Sequence, residues 1–203
     1  MKLAISNSIN FFLNKIIKWP LAFLLIFYIK EIFFFFMLSF ELFITSSSML
    51  YILGAIIFFA TNFSYSNRFL TFEHELTHAI FCFLTFKSNI RIDMNPPEVW
   101  AMGMCRYTGG TNWLIQISPY FFPTLTIFIS LLYLLPISDF YPFLDICIGF
   151  SLAYHLKSNY MEFITSMRGT PHADTQKAGR VFSLAVIPIL NLIVFSIIFR
   201  LIT

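Results

Sequence analysis

Phe69-Leu70-Thr71-Phe72-Glu73-His74-Glu75-Leu76-Thr77-His78-Ala79-Ile80-Phe81-Cys82-Phe83-Leu84-Thr85-Phe86 is an apolar run with four ionisable side chains crowded near its middle. As a helix rising 1.5 Å per residue it is roughly 27 Å long, close to the thickness of a bilayer's hydrocarbon core. Ionisable groups are expensive at that depth, so Glu73, His74, Glu75 and His78 together argue for function rather than for packing.

Outward from this run lie five further stretches of similar character: Trp19–Ile44, Ser48–Phe63, Trp113–Ile137, Pro142 into the Tyr160 region, and Ala173–Ile202. Lys30 and Glu31 interrupt the first, side by side, where they can snorkel or pair with other helices. A crossing takes roughly 20 helical residues. The sequence therefore predicts an all-α polytopic membrane protein with about six transmembrane helices. Residues 3–18, with Lys15 and Lys18 among Phe and Ile, predict an interfacial helix ahead of the first span. The first apolar stretch is too long for a signal-peptide core and lacks a small-residue cleavage site, so we expect the chain to be retained whole. No repeat or low-complexity linker divides it. Residues 1–67 form an N-terminal part with the interfacial helix and two spans, and residues 68–203 form a core with four.

Composition agrees. The 203 residues are 58% hydrophobic and 20% aromatic, with 28 Phe, and only 11% are charged. A soluble domain carries about 25% charged residues, and this chain has too few to coat a soluble core. A net charge of +3 from scattered Lys and Arg excludes a nucleic-acid partner. Three cysteines, Cys82, Cys105 and Cys147, make no disulfide framework. Counting Lys and Arg, the face holding the loops at 45–47 and 87–112 and the connection after the fifth span is the more basic, which favours it as cytoplasmic. High Phe, Ile and Asn content points to an AT-rich bacterial genome and hence to a bacterial inner (plasma) membrane.

The chemistry lies in His74-Glu75-Leu76-Thr77-His78. Histidines four apart project from one helix face and can bind one divalent ion. Glu75 stands beside the first ligand, where its carboxylate can take a proton from water that a metal has acidified. With four His and six Glu in the chain, an accidental match is expected only about 0.002 times. Catalytic zinc takes three protein ligands and leaves a position open. His78 and His74 lie roughly 12 and 18 Å from the basic-face end of their helix, and His155 lies roughly 18 Å from the same end if the fifth span stays helical to about Met167. Depth thus favours His155 as third ligand, with Asp174 the alternative if its segment folds back after the Gly169-Thr170-Pro171 turn. His172 reads as a loop residue. Asn112, Asn159 and Asn191 are the amides available to stabilise an oxyanion.

Between Lys87 and Asn112, Asn89-Ile90-Arg91-Ile92-Asp93-Met94 alternates like a strand, Asn95-Pro96-Pro97 turns, and Val99 to Tyr107 can return. A β-hairpin there would offer an edge to an extended peptide. Gly109-Gly110 ends the pattern.

These features resemble the M50 group of membrane metallopeptidases, the site-2 protease-like intramembrane zinc enzymes. The resemblance covers residues 68–202. It rests on the HExxH of His74 to His78, the β-like loop ending in Gly109-Gly110, Ile117-Ser118-Pro119-Tyr120-Phe121-Phe122-Pro123 opening the next span, and a metal-ligand candidate two spans on. It implies a zinc ion bound by His74 and His78, Glu75 as the base, and a transmembrane or membrane-proximal peptide as substrate. One departure is plain: the group takes its third ligand from an Asp followed by Gly, and this chain has no Asp-Gly. The competing reading is a metal-binding but non-hydrolytic membrane protein, such as a pseudoprotease, transporter or scaffold.

Overall fold

The computed structural model describes residues 2–46, 49–61, 67–94, 103–136, 138–167 and 173–202. The chain is mostly helical. It opens with α1 (Lys2–Phe11) and α2 (Lys18–Phe27), made continuous by a π-helical turn over Phe12–Ile17. After a break at Tyr28 come α3 (Ile29–Ser46) and α4 (Leu50–Ala60). The HExxH run forms α5 (Asn67–Leu84). Two antiparallel strands follow, β1 (Ser88–Met94) and β2 (Gly103–Thr108), pairing Arg91 with Arg106 and Met94 with Gly103. Then come the short α6 (Trp113–Ile117), α7 (Thr124–Leu131), the long α8 (Tyr141–Met167), the five-residue α9 (Asp174–Ala178) and α10 (Arg180–Ile202).

The expected hairpin after the HExxH helix is present, since alternation writes a strand's two faces directly into sequence. Its predicted turn at Asn95-Pro96-Pro97 and the residues from Val99 to Met102 lie outside the described residues, as do the Gly169-Thr170-Pro171 turn and His172.

The expectation of about six spans is corrected. Among the described residues two helices are long and apolar enough to cross a membrane, Lys2–Phe27 and Arg180–Ile202, or up to four if each of two bent helix pairs is counted as one span. Three physical causes account for the difference. The chain breaks at Tyr28, so the Trp19–Ile44 stretch is split, and its first part joins the helix expected at the interface. Pro119 and Pro123, which cannot donate within a helix, bend the Trp113–Tyr120 and Thr124–Leu134 segments by 77°. Finally, α5 carries Arg68, Glu73 and Glu75 along its 18 residues, and α8 carries Asp145, His155 and Lys157, so both are long yet too polar.

The main core forms where α5, α6 and α10 meet, around Cys82, Trp113, Ile115, Phe182 and Val186, all nearly inaccessible. Elsewhere α4 crosses α8 with backbones touching. A Cβ at Gly54 would stand 2.0 Å from the Ile146 carbonyl oxygen, and one at Gly149 would stand 1.9 Å from that of Tyr51. Neither position tolerates any side chain. Overpacking costs about 1–3 kcal/mol when side chains can shift, and more when backbone must. We expect Gly149→Leu to destabilise the protein by about 3 kcal/mol or more, seen as a lowered Tm in detergent; unchanged melting would contradict so close a crossing.

Candidate metal centre

α5 is amphipathic in an unusual way: one of its faces is apolar and another carries Thr71, Glu75, His74 and His78, spaced three or four apart so that they stack along the helix. His78 is 8% exposed in its side chain and His74 15%. The His78 Nδ1 lies 2.7 Å from the Ile115 carbonyl oxygen. A carbonyl only accepts, so Nδ1 carries the proton, and the Nε2 lone pair faces the other way. A metal-ligating histidine is held in the same manner, by a backbone or carboxylate acceptor on its second nitrogen.

What Nε2 faces is equally specific. It stands 3.1 Å from the His74 Nε2 and 3.2 Å from the Asp174 Oδ2, while His74 Nε2 and Asp174 Oδ2 are 3.5 Å apart. Ligand atoms about 2.0–2.1 Å from a tetrahedral zinc lie roughly 3.3–3.4 Å from one another. The three separations match that spacing. With the His78 proton given to Ile115, its Nε2 lone pair meets the Asp174 oxygen and the His74 ring nitrogen around one point, where a divalent cation would be within reach of all three. Two imidazoles and a carboxylate are also an accepted zinc-donor set. The site therefore fits a divalent ion.

Asp174 arrives because the chain folds back. Gly179, at φ +104°, breaks the helix between Ala178 and Arg180, so α9 leaves the line of α10. Thr175 and Ala178 are buried, and Ser183 Oγ donates to the Thr175 carbonyl at 3.1 Å, seating α9 against its neighbours. The two carboxylate oxygens of Asp174 are then divided: Oδ2 faces the histidines and Oδ1 accepts from Lys177 Nζ at 3.1 Å. The Asp174 side chain remains 23% exposed, which leaves the site an opening.

Glu75 is buried beneath β2. A Cβ at Gly103 would come within 2.4 Å of Thr71 Cγ2 and 3.1 Å of Glu75 Cγ, so only glycine lets the strand lie this close over the helix. Tyr120 closes another side, its ring edge-on to His74 with centroids 5.7 Å apart.

His155 is not brought into the group. It is buried in α8 with its ring 6.0 Å from that of Phe195, and its Nε2 lies 3.5 Å from Asn159 Nδ2. Matching depth placed it level with the HExxH histidines, but each residue turns a helix by 100°, and this one faces α10. The amides are committed elsewhere. Asn159 and Asn191 both donate to the Tyr120 carbonyl, and Asn112 caps α6 by accepting from Ile115 N at 3.1 Å. Sequence reasoning missed the Ile115 carbonyl, Lys177 and Gly103. Only the first had a signal: Asn112 three residues ahead of Ile115 is a helix cap.

Comparison of the chain with family models, with curated proteins and with solved structures finds no match.

The geometry predicts one divalent ion per chain in detergent-purified protein. His74→Ala, His78→Ala and Asp174→Ala should each weaken binding by at least about 10-fold, since each removes one of three donors. His155→Ala should leave the stoichiometry intact. Loss of metal in His155→Ala alongside retention in Asp174→Ala would reverse the assignment.

Proposed function

We propose that this chain is an intramembrane zinc metalloendopeptidase, multi-pass in a bacterial plasma membrane, that hydrolyses peptide bonds of transmembrane or membrane-proximal substrates. One observation carries the reading: His74 Nε2, His78 Nε2 and Asp174 Oδ2 converge at 3.1–3.5 Å while a glutamate directly follows the first histidine. A purely structural polar cluster needs no acid at that position, and a zinc peptidase does.

His74, His78 and Asp174 would hold the ion. Bound zinc supplies Lewis acidity, lowering the pKa of water and polarising a carbonyl. The chain's residues do the rest. Glu75 accepts the proton from the attacking water and returns it to the leaving amine, so that the amine departs neutral. The Ile115 carbonyl keeps His78 in the Nδ1-protonated tautomer throughout. Lys177, paired with Asp174, places a positive charge beside the ligands, where negative charge grows as the carbonyl is attacked.

A helical substrate hides its peptide bonds within its own hydrogen bonds, so it must unwind before cleavage. An extended segment then needs new partners. The two-stranded sheet β1–β2 supports this step, since Gly103 of β2 lies directly over Thr71 and Glu75 and a strand edge takes an extended peptide by backbone pairing.

Glu75→Gln should keep zinc while lowering cleavage by about 10²–10⁴-fold, the contribution of a positioned base. The measurement is mass spectrometry of casein and a panel of synthetic transmembrane peptides incubated with zinc-loaded enzyme. Fragments that appear equally with Glu75→Gln would exclude this base. A wild type that binds zinc yet cleaves none of the panel would favour the metal-binding, non-hydrolytic alternative.

A further inference from the structure

The N-terminal helix carries Ser6, Asn10 and Asn14 four residues apart among Leu, Ile and Phe. All three reach a segment nearly a hundred residues downstream. Ser6 Oγ donates to the Gly109 carbonyl at 3.0 Å, and Asn10 Nδ2 donates to the same oxygen at 2.6 Å. Asn14 Nδ2 donates to the Thr111 carbonyl, and its Oδ1 accepts from Trp113 N, both at 3.0 Å. Lys87 is buried in the same contact and donates to Ser6 Oγ at 2.8 Å and to Asn10 Oδ1. Gly109 is obligatory here, because its φ is +109° and a Cβ would stand 2.6 Å from Ser6 Oγ.

Asn10 differs from the other two in where its second polar atom leads. Its Oδ1 accepts from Asn112 Nδ2 at 3.0 Å. The Asn112 Oδ1 accepts from Ile115 N at 3.1 Å, and the Ile115 carbonyl accepts from His78 Nδ1 at 2.7 Å. Three consecutive hydrogen bonds thus run from α1 to an imidazole of the candidate metal centre. Asn112 is completely buried and has both ends of its carboxamide engaged. Without the Asn10 acceptor its amide loses the contact that sets which end faces Ile115, and a cap with the wrong end presented cannot accept.

We propose that Asn10 is a positioning residue for the metal centre: through Asn112 and the first turn of α6 it holds the Ile115 carbonyl against His78, so that the N-terminal helix sets the affinity of the site. The inference rests on the metal-site reading above. Partners that directly orient a ligating histidine are worth 10–100-fold in affinity. Asn10 stands two bonds further out, so a smaller effect of about 3- to 10-fold is expected.

The test is zinc affinity in detergent by competition with a chromophoric chelator, together with the visible spectrum of the Co²⁺-loaded protein. Asn10→Ala should weaken zinc by about 3- to 10-fold and alter the Co²⁺ bands, with Asn112→Ala showing a larger loss in the same direction. Ser6→Ala removes docking bonds to Gly109 and Lys87 that do not touch Asn112 or α6, and should leave both readouts at the wild-type level. If Asn10→Ala does not yield folded protein, Asn10→Ser, whose shorter side chain withdraws the acceptor from Asn112, carries the same expectation. An Asn10 variant with wild-type affinity and spectrum overturns the proposal, and so does an equal loss in Ser6→Ala, which would reduce the effect to general docking. A wild type that binds no zinc overturns the site itself; a wild type that binds it beside an unaffected Asn10 variant overturns only this inference.

Discussion

The bond from His78 Nδ1 to the Ile115 carbonyl is the constraint around which the molecule is organised. It assigns the proton of one imidazole, and by doing so it decides the character of everything that nitrogen's partner faces. Were Nε2 the protonated atom, the contact with Asp174 would be an ordinary histidine–carboxylate hydrogen bond, complete in itself. With the proton on Nδ1, the same 3.2 Å contact is between two acceptors. α6 exists to deliver that carbonyl. It is only five residues long, capped at one end by Asn112 and stopped at the other by Pro119, and all but one of its residues are buried.

A second polar knot braces the opposite side of the same segment. The Tyr120 carbonyl, where the chain bends between Pro119 and Pro123, accepts from Asn159 on α8 and Asn191 on α10, and those two amides also bond each other at 3.2 Å. A buried carbonyl without partners would be costly, so the bend and the two asparagines belong together. The Tyr120 ring meanwhile contacts His74. The break in the helix therefore fixes His78 by its backbone at Ile115 and touches His74 by a side chain.

Much of this was legible in the residues. The HExxH spacing gave the two histidines and the glutamate, because helix periodicity is a local property. The hairpin after α5 was legible for the same reason, from the alternation at 89–94. Which of His155 and Asp174 lies beside the two histidines was not, since it turns on the rotational phase of α8 and on a fold-back at Gly179, and neither is written in depth or hydropathy. Span counting erred because the break at Tyr28, the bend between Pro119 and Pro123, and the charged residues along α5 and α8 interrupt stretches that hydropathy alone reads as continuous. The polar stripe at 6, 10 and 14 was visible in the sequence, but its partners at 109–113 are set only by tertiary contact.

The division of the Asp174 carboxylate has a consequence for which ions the site tolerates. With Oδ1 engaged by Lys177, the group offers one oxygen and cannot clasp an ion in bidentate fashion. Calcium takes six to eight oxygen ligands and magnesium demands a near-ideal octahedron rich in oxygen and water. Two nitrogens and a single oxygen, held a little over 3 Å apart, meet neither demand. Were an ion bound, the Lys177 pairing would therefore work against the two hard, oxygen-seeking cations and leave a donor set suited to zinc.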